Sequence, residues 1–205
     1  MANQAENWNG NIVCVVDTET TGLDPRLNEI IQICVMPLDS NFKPRNDKLP
    51  FNLLIQPDRP ENIDMAALKV NKITLADLMK FGYESLKAAD LLDEYFDSLK
   101  LVPGKKIIPL AQNWPFDKEF LEMWLGTLNF QAIFDYHYRD TCSVAQYLND
   151  RAVMRCEKPP FSKVNLSYLS SQLGVVNPAP HTALGDCQTT AAVYRGMLGG
   201  QAFRL

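Results

Sequence analysis

The sequence predicts a mixed α/β domain: three antiparallel strands, then parallel strands alternating with helices, in one sheet flanked by helices. Three observations carry this. Residues 12–16 (Ile-Val-Cys-Val-Val) are apolar without alternation, as in a strand buried on both faces. Two more apolar runs, 29–36 and 49–55, follow in succession and suggest an antiparallel meander. From residue 63 onward, apolar positions at helical spacing alternate with strand-like runs, the pattern of a layered α/β domain.

The elements follow in order. Gly22, Asp24 and Pro25 form a turn after the first strand, and Asp39-Ser40-Asn41 one between the second and third. Short helices are expected over 63–68 and 73–79. Leu86, Ala89, Leu92, Tyr95, Phe96 and Leu99 give a helix over 85–99, ended by Pro103 and Gly104. Residues 107–111 form a fourth strand. Pro115 opens a helix that runs over 116–125. A fifth, aromatic strand is expected over 134–139. Asp140 or Thr141 caps the next helix, to about residue 148. A polar loop covers 151–163, and a helix over 166–173 stops at Gly174. Pro178-Ala-Pro180 is extended, and the last helix spans about 182–198, ended by Gly199-Gly200. Residues 1–10 read as a polar extension and 11–205 as one domain.

Bulk properties narrow the function. No run of about 18 apolar residues exists, so no membrane span is expected. The N-terminus is polar and has no signal-peptide core, which points to a cytoplasmic protein. Cys14, Cys34, Cys142, Cys156 and Cys187 are scattered and odd in number, against both a disulfide framework and a zinc site. Cys14 and Cys34 read as buried thiols. The net charge is −4, without the basic surplus of a protein that grips duplex DNA. Either the chain does not bind nucleic acid, or it binds a short stretch and lets metal ions meet the phosphate.

Carboxylates fall at unexpected places. Asp17 and Glu19 close the first strand two residues apart, so in a strand they share a face. Like charges so close raise each other's pKa unless a cation intervenes; the alternative is a pair solvated in a loop. Asp117 belongs to the apolar stripe of Phe120, Leu121, Trp124, Leu125 and Leu128. It is either a metal ligand or a first-turn Asp satisfied by the helix's own N–H groups. Asp186 lies at the edge of a small-residue face made by Ala183, Cys187, Thr190, Ala191 and Tyr194. His181 precedes that helix on a loop, where it reads as a mobile general base or as a surface spectator. Four carboxylates and one His suit Mg²⁺ or Mn²⁺, two of which clamp the oxygens of an in-line phosphoryl displacement.

Asp17-Thr-Glu-Thr-Thr-Gly-Leu23 with Asn28-Glu-Ile-Ile-Gln32 resembles the first motif of the DnaQ-like, DEDD-type exonucleases. Ala111-Gln-Asn-Trp-Pro-Phe-Asp117 with Phe120 and Leu121 resembles the second. His181-Thr-Ala-Leu-Gly-Asp186 with Thr189, Ala191 and Ala192 resembles the third, in its DEDDh form. Asp140-Thr141 and residues 166–174 match supporting segments, and the similarity covers residues 10–198. The resemblance implies an RNase H-like fold and 3′→5′ release of nucleoside monophosphates. It implies Asp17, Glu19, Asp117 and Asp186 as ligands of two Mg²⁺ or Mn²⁺ ions, with His181 deprotonating the attacking water. Thr20 would meet the terminal 3′-OH, Leu23 would wedge against the last base, and Asn113 would arrange the second-motif loop. Gln112 and Gln32 depart from the family, which often has His and Glu there.

Other residues invite a role. Trp114 could stack on a base or enter the core. His137 reads as structural and Asp140 as a helix cap. Arg151, Arg155, Lys158, Phe161 and Lys163 could form a basic-aromatic rim, or a solvated loop. Four functions are weighed: a free-standing exonuclease on single-stranded DNA 3′ ends, a polymerase-associated proofreading subunit, an RNase of the same family, and a non-enzymatic binding module. The chain ends a few residues past the last helix, which speaks against a tether to a polymerase. All five catalytic positions are filled, which speaks against the binding module. A homodimer or a polymerase contact stays open.

Overall fold

The apolar opening run becomes β1 (Ile12–Thr20), four residues longer than its apolar part. It continues because Asp17, Thr18 and Glu19 keep their places in the ladder opposite Cys34, Ile33 and Gln32 of β2 (Ile30–Pro37). The register slips between Glu19 and Thr20, where Thr20 pairs with Ile30. Such irregularities re-aim side chains at strand ends. The computed structural model describes residues 9–199; most of the polar extension expected over 1–10, and Gly200, lie outside them.

β3 (Phe51–Leu54) completes the meander, and β4 (Ile107–Ala111) and β5 (Arg139–Asp140) add in parallel on the other side of β1. The order is β3-β2-β1-β4-β5, so the strand bearing the two carboxylates is central. This is the mixed sheet the sequence predicts.

Helices α1 (Met65–Asn71), α2 (Leu75–Phe81), α3 (Ser85–Ser98), α4 (Trp114–Leu125) and α5 (Thr127–Ile133) precede β5. Helices α6 (Thr141–Met154), α7 (Leu166–Gln172) and α8 (Ala183–Leu198) follow it. Alternation along β1 decides which layer each residue meets. Ile12, Cys14 and Val16 pack with Ala88 and Leu92 of α3 and with Phe120 and Leu121 of α4. Val13 and Val15 pack with Ala183, Cys187 and Ala191 of α8. Asp17 and Glu19 therefore continue the α8 face, and Thr18 and Thr20 the α4 face.

Three local expectations are corrected. The fifth strand shrinks to Arg139–Asp140, plus a single bridge from Phe134 to Ile107. Its aromatic residues Tyr136 and Tyr138 are exposed and supply no strand face. The unanticipated helix α5 precedes it, separated from α4 by Gly126 at φ 75° and anchored by buried Phe130 and Ile133. Helix α6 runs six residues past its expected end at 148, to Met154. Ala152 is buried, so the polar composition there marks an exposed helix face rather than a loop. Helix α4 starts at Trp114, which makes Pro115 its second residue.

Candidate active site

The sheet and α8 bring three carboxylates together. One oxygen each of Asp17, Glu19 and Asp186 lies within 4.8 Å of the others. Both members of the D-x-E pair lie inside the strand, not in a solvated loop. Oδ2 of Asp17 is sealed from solvent with no hydrogen-bond partner. The second such atom among the described residues, Glu157 Oε2, is on the loop after α6. An unsatisfied buried carboxylate oxygen costs about 1–3 kcal/mol or more, and a cation satisfies it. The residues thus fit a divalent metal: the donors are all oxygen, and one lacks any other partner.

Asp117 stands outside that triad. It is 3% exposed, and its Oδ1 accepts from the Thr18 N–H at 2.9 Å and the Thr18 hydroxyl at 2.8 Å. Its principal partner is therefore the β1 residue that faces α4, with the N–H of its own helix turn adding to it. Thr18 lies between Asp17 and Glu19 and points to the opposite face, so one tripeptide positions three carboxylates.

Electrostatics agree with an arrangement awaiting positive charge. Burial, then the charges of Asp117, Glu19 and Asp186, push the Asp17 carboxyl well above the ordinary range. Burial, then Asp186 and Asp117, push Glu19 up to about 7. Burial also raises Asp117, against the Thr18 hydrogen bonds. Asp186 is raised by burial, partly offset by the amide of Asn177 and by His181.

His181 is exposed, with φ at 64°. Its loop is braced rather than loose. The Asn177 Nδ2 donates to Asp186 Oδ1 at 2.6 Å, and the Thr182 hydroxyl donates to the Ala179 carbonyl at 2.8 Å while accepting from Gly185 N–H at 3.1 Å. Gly185 permits this approach, since a Cβ there would lie 2.1 Å from the Ala179 oxygen. The hydrogen bonds therefore hold the loop that was expected to be mobile, and the His181 side chain is exposed on it.

The first-motif loop presents Leu23, 83% exposed. Below it, Asn28 accepts from the Asp24 N–H at 3.0 Å and donates to the Asn62 carbonyl at 2.8 Å. Gly22 is required there, because a Cβ would collide with the Asn28 amide at 2.4 Å. Thr20 is buried and donates its hydroxyl to the Gly22 carbonyl at 2.6 Å, so its lone pairs are what it offers a ligand. Asn113 is exposed in left-handed conformation, φ 67° and ψ 54°, and its side chain makes no cap bond. A cleft of about 390 Å³ lies between this loop and α4, lined by Pro25, Asn28, Phe120 and Met123 but by none of the four carboxylates.

Gln32 and Gln112, the two departures, have defined work. The Gln32 Oε1 accepts from the first N–H of α8, at Ala183, at 3.1 Å. Gln32 sits directly opposite Glu19 in the ladder, where a Glu would add a like charge. The Gln112 Nε2 donates to the Val164 carbonyl at 2.7 Å, and its Oε1 accepts from the Thr141 hydroxyl at 2.6 Å, tying β4 to α6 and the loop before α7. Asp140 is a double cap. Its Oδ1 accepts from Cys142 N–H at 2.6 Å and its Oδ2 from Trp114 N–H at 2.7 Å, fixing the starts of α6 and α4. Trp114 is 2% exposed against Phe130 and belongs to the core. His137 pairs with Asp135 at 2.7 Å. Of the expected basic-aromatic rim, Phe161 is buried in the core, Arg151 lies on α6, and Arg155, Lys158 and Lys163 are exposed.

A mixed sheet in this order, with carboxylates from the end of its central strand and from helices on both faces, defines the RNase H-like nuclease class. The family model described as Exonuclease matches residues 14–194. Ribonuclease T of Wigglesworthia glossinidia brevipalpis is 32% identical over 189 residues, covering 88% of this chain and 81% of that protein. DNA polymerase III subunit epsilon of Rickettsia conorii is 30% identical over 198 residues, covering 93% and 76%. The crystal structure of E. coli exonuclease I in complex with a dA16 oligonucleotide superposes with TM-score 0.72 at 21% identity. That match spans 93% of this chain but only 41% of exonuclease I. The chain belongs to the DnaQ-like 3′→5′ exonuclease family and is a nuclease of the hydrolase class.

Proposed function

We propose that the protein removes nucleoside monophosphates one at a time from free 3′ ends of single-stranded DNA. Asp17, Glu19, Asp117 and Asp186 hold two Mg²⁺ or Mn²⁺ ions, and His181 takes the proton of the attacking water. The observation that carries this reading is the oxygen triad of Asp17, Glu19 and Asp186, with Asp17 Oδ2 unpartnered. When bound, divalent ions supply charge neutralisation at the phosphate and the leaving oxygen.

The chain's own residues do the rest. Exposed Leu23 packs on the last base, and Thr20 accepts from the 3′-OH through its hydroxyl oxygen. Asn113, at the strand-to-helix corner beside Asp117, lines the approach of the strand. His181, on the braced loop before Asp186, reaches the water from the solvent side and releases its proton there. Residues 11–205 act as one exonuclease domain in the cytoplasm; in support, no described helix is long and apolar enough to cross a membrane, and the five cysteines are free.

The choice of DNA is supported by the Asp17–Leu23 motif and by the oligonucleotide bound to exonuclease I. RNA is the second reading, supported by the similarity to ribonuclease T, and a polymerase contact the third, supported by the similarity to subunit epsilon. A time course on 5′-labelled single-stranded DNA and RNA, with free or blocked 3′ ends, tests the 3′→5′ activity and the choice between DNA and RNA. A ladder shortening from free 3′ ends in Mg²⁺ or Mn²⁺ and stopped by EDTA is expected, faster on DNA. Faster RNA trimming would transfer the assignment to RNA, and no cleavage of either by folded protein would overturn it.

A further inference from the structure

We propose that Asn177 is a positioning residue that couples the Asp186 carboxylate to the His181 loop, so that one amide sets both metal capture and placement of the His181 ring. The inference rests on the metal and base roles given above to Asp186 and His181.

The geometry is a relay. The Asn177 Nδ2 donates to Asp186 Oδ1 at 2.6 Å, and the Asn177 Oδ1 accepts from the Ala179 N–H at 3.1 Å. The Ala179 carbonyl in turn accepts from the Thr182 hydroxyl and rests against Gly185. His181 lies between these anchors, with φ at 64°. Pro178 and Pro180 fix φ on either side of Ala179, and residues 178–181 form a bend and turn rather than the extended segment expected, so Asn177 to His181 is a restrained turn and not a free tether. The His181 backbone N–H also acts directly on the Asp186 carboxylate, so the Asn177 amide and this turn hold the carboxylate and the residue carrying the base as one linked unit.

The chemistry of the amide suits the task. It holds Oδ1 without adding charge, so it steadies the carboxylate without competing with a cation for it. A Lys or Arg in its place would hold the carboxylate as an ion pair and compete with that cation. Groups that orient a metal ligand from behind typically change affinity or activity by about 10–100-fold when removed.

The test compares wild type with Asn177→Ala and Asn177→Asp. Mn²⁺ affinity is read by calorimetry, kcat and KM at saturating Mn²⁺ on a 5′-labelled oligonucleotide, and Tm as a check of folding. Asn177→Ala is expected to weaken Mn²⁺ binding by about 10–100-fold and to lower kcat, not only KM, by a similar factor. Asn177→Asp keeps the acceptor for the Ala179 N–H, and so the turn, but loses the donor and faces Asp186 with a like charge; it should not rescue kcat. If Asn177→Ala does not fold, the Asp variant decides alone. Wild-type affinity and kcat in Asn177→Ala, or restoration of both by Asn177→Asp, would overturn the proposal and leave a turn residue. A loss of affinity with full kcat at saturating Mn²⁺ would overturn the coupling to His181. By contrast, wild-type protein that binds no Mn²⁺, or binds it unchanged after Asp186→Ala, would sink the metal reading itself.

Discussion

Asp17 combines a sealed, unpartnered oxygen with three like-charged neighbours, so without a cation its charge opposes folding. Asp17→Asn should therefore raise Tm in EDTA by several degrees while nearly abolishing turnover in Mg²⁺; a lower Tm in EDTA would contradict this account. The same electrostatics fix a pH dependence. Glu19 is raised to about 7 and Asp17 is raised well above the ordinary carboxylate range, both chiefly by burial. A carboxyl whose folded pKa lies above its unfolded value adds stability below the unfolded pKa, and loses it as pH rises through the folded one. Tm in EDTA should fall between about pH 5 and pH 8, and saturating Mg²⁺ should abolish the fall. His181→Ala should slow turnover by about 10²–10⁴-fold with Mn²⁺ affinity retained; loss of Mn²⁺ binding would instead make the ring a ligand. At this scale the sequence displayed the carboxylates and the histidine, because acids beside apolar runs are anomalous in any sequence. Thr18, Asn177 and Gln32 could not be picked out in the same way. They are ordinary polar residues whose meaning comes from a partner, and for Thr18 that partner is 99 positions away.

Close approach between elements decides how well these residues are held. Helix α8 settles on β1 and β2 through Ala183, Cys187 and Ala191, and Gly185 lets the His181 loop lie on its first turn. Gly185→Ala forces a Cβ against the Ala179 carbonyl, a backbone group, so the loop must move. It should destabilise by about 1–3 kcal/mol and depress kcat at saturating metal; wild-type kcat in that variant would show that the loop position is unimportant. The helices over 85–99 and at the end of the chain were readable because buried residues recur at helical spacing, although Leu86 of the expected 85–99 stripe is exposed and Ala88 is buried in its stead. Helix α5 was not, because its buried face is the single pair Phe130 and Ile133, which runs straight into Phe134 and so merges with the expected strand. The residues 134–139 misled for a different reason. Aromatic content implies a strand only where the rings find a face to pack on, and Tyr136 and Tyr138 point to solvent.

Across the whole molecule, net charge sets how the substrate is gripped. A chain of net charge −4 carries no overall cationic surplus to hold a long strand, and the expected basic-aromatic rim loses its aromatic member to the core, because Phe161 is buried. On the proposed function, binding then depends on the terminal residues: the exposed Leu23, the Thr20 oxygen, Asn113 and the carboxylate-held cations. Each phosphate neutralised on a single strand contributes about −0.7 to the slope of log K against log[salt]. With about one to three phosphates engaged, the slope for a 5′-labelled oligonucleotide at fixed Ca²⁺, used to hold the complex without turnover, should be shallower than about −2. Affinity should also level off within a few nucleotides of the 3′ end, and a 3′-phosphate should weaken it by crowding the position of the terminal hydroxyl. A slope of about −4 or steeper, or affinity still rising with length beyond about ten nucleotides, would mean that the strand follows an extended track. The grip would then lie on a surface other than the site built by β1, α4 and α8.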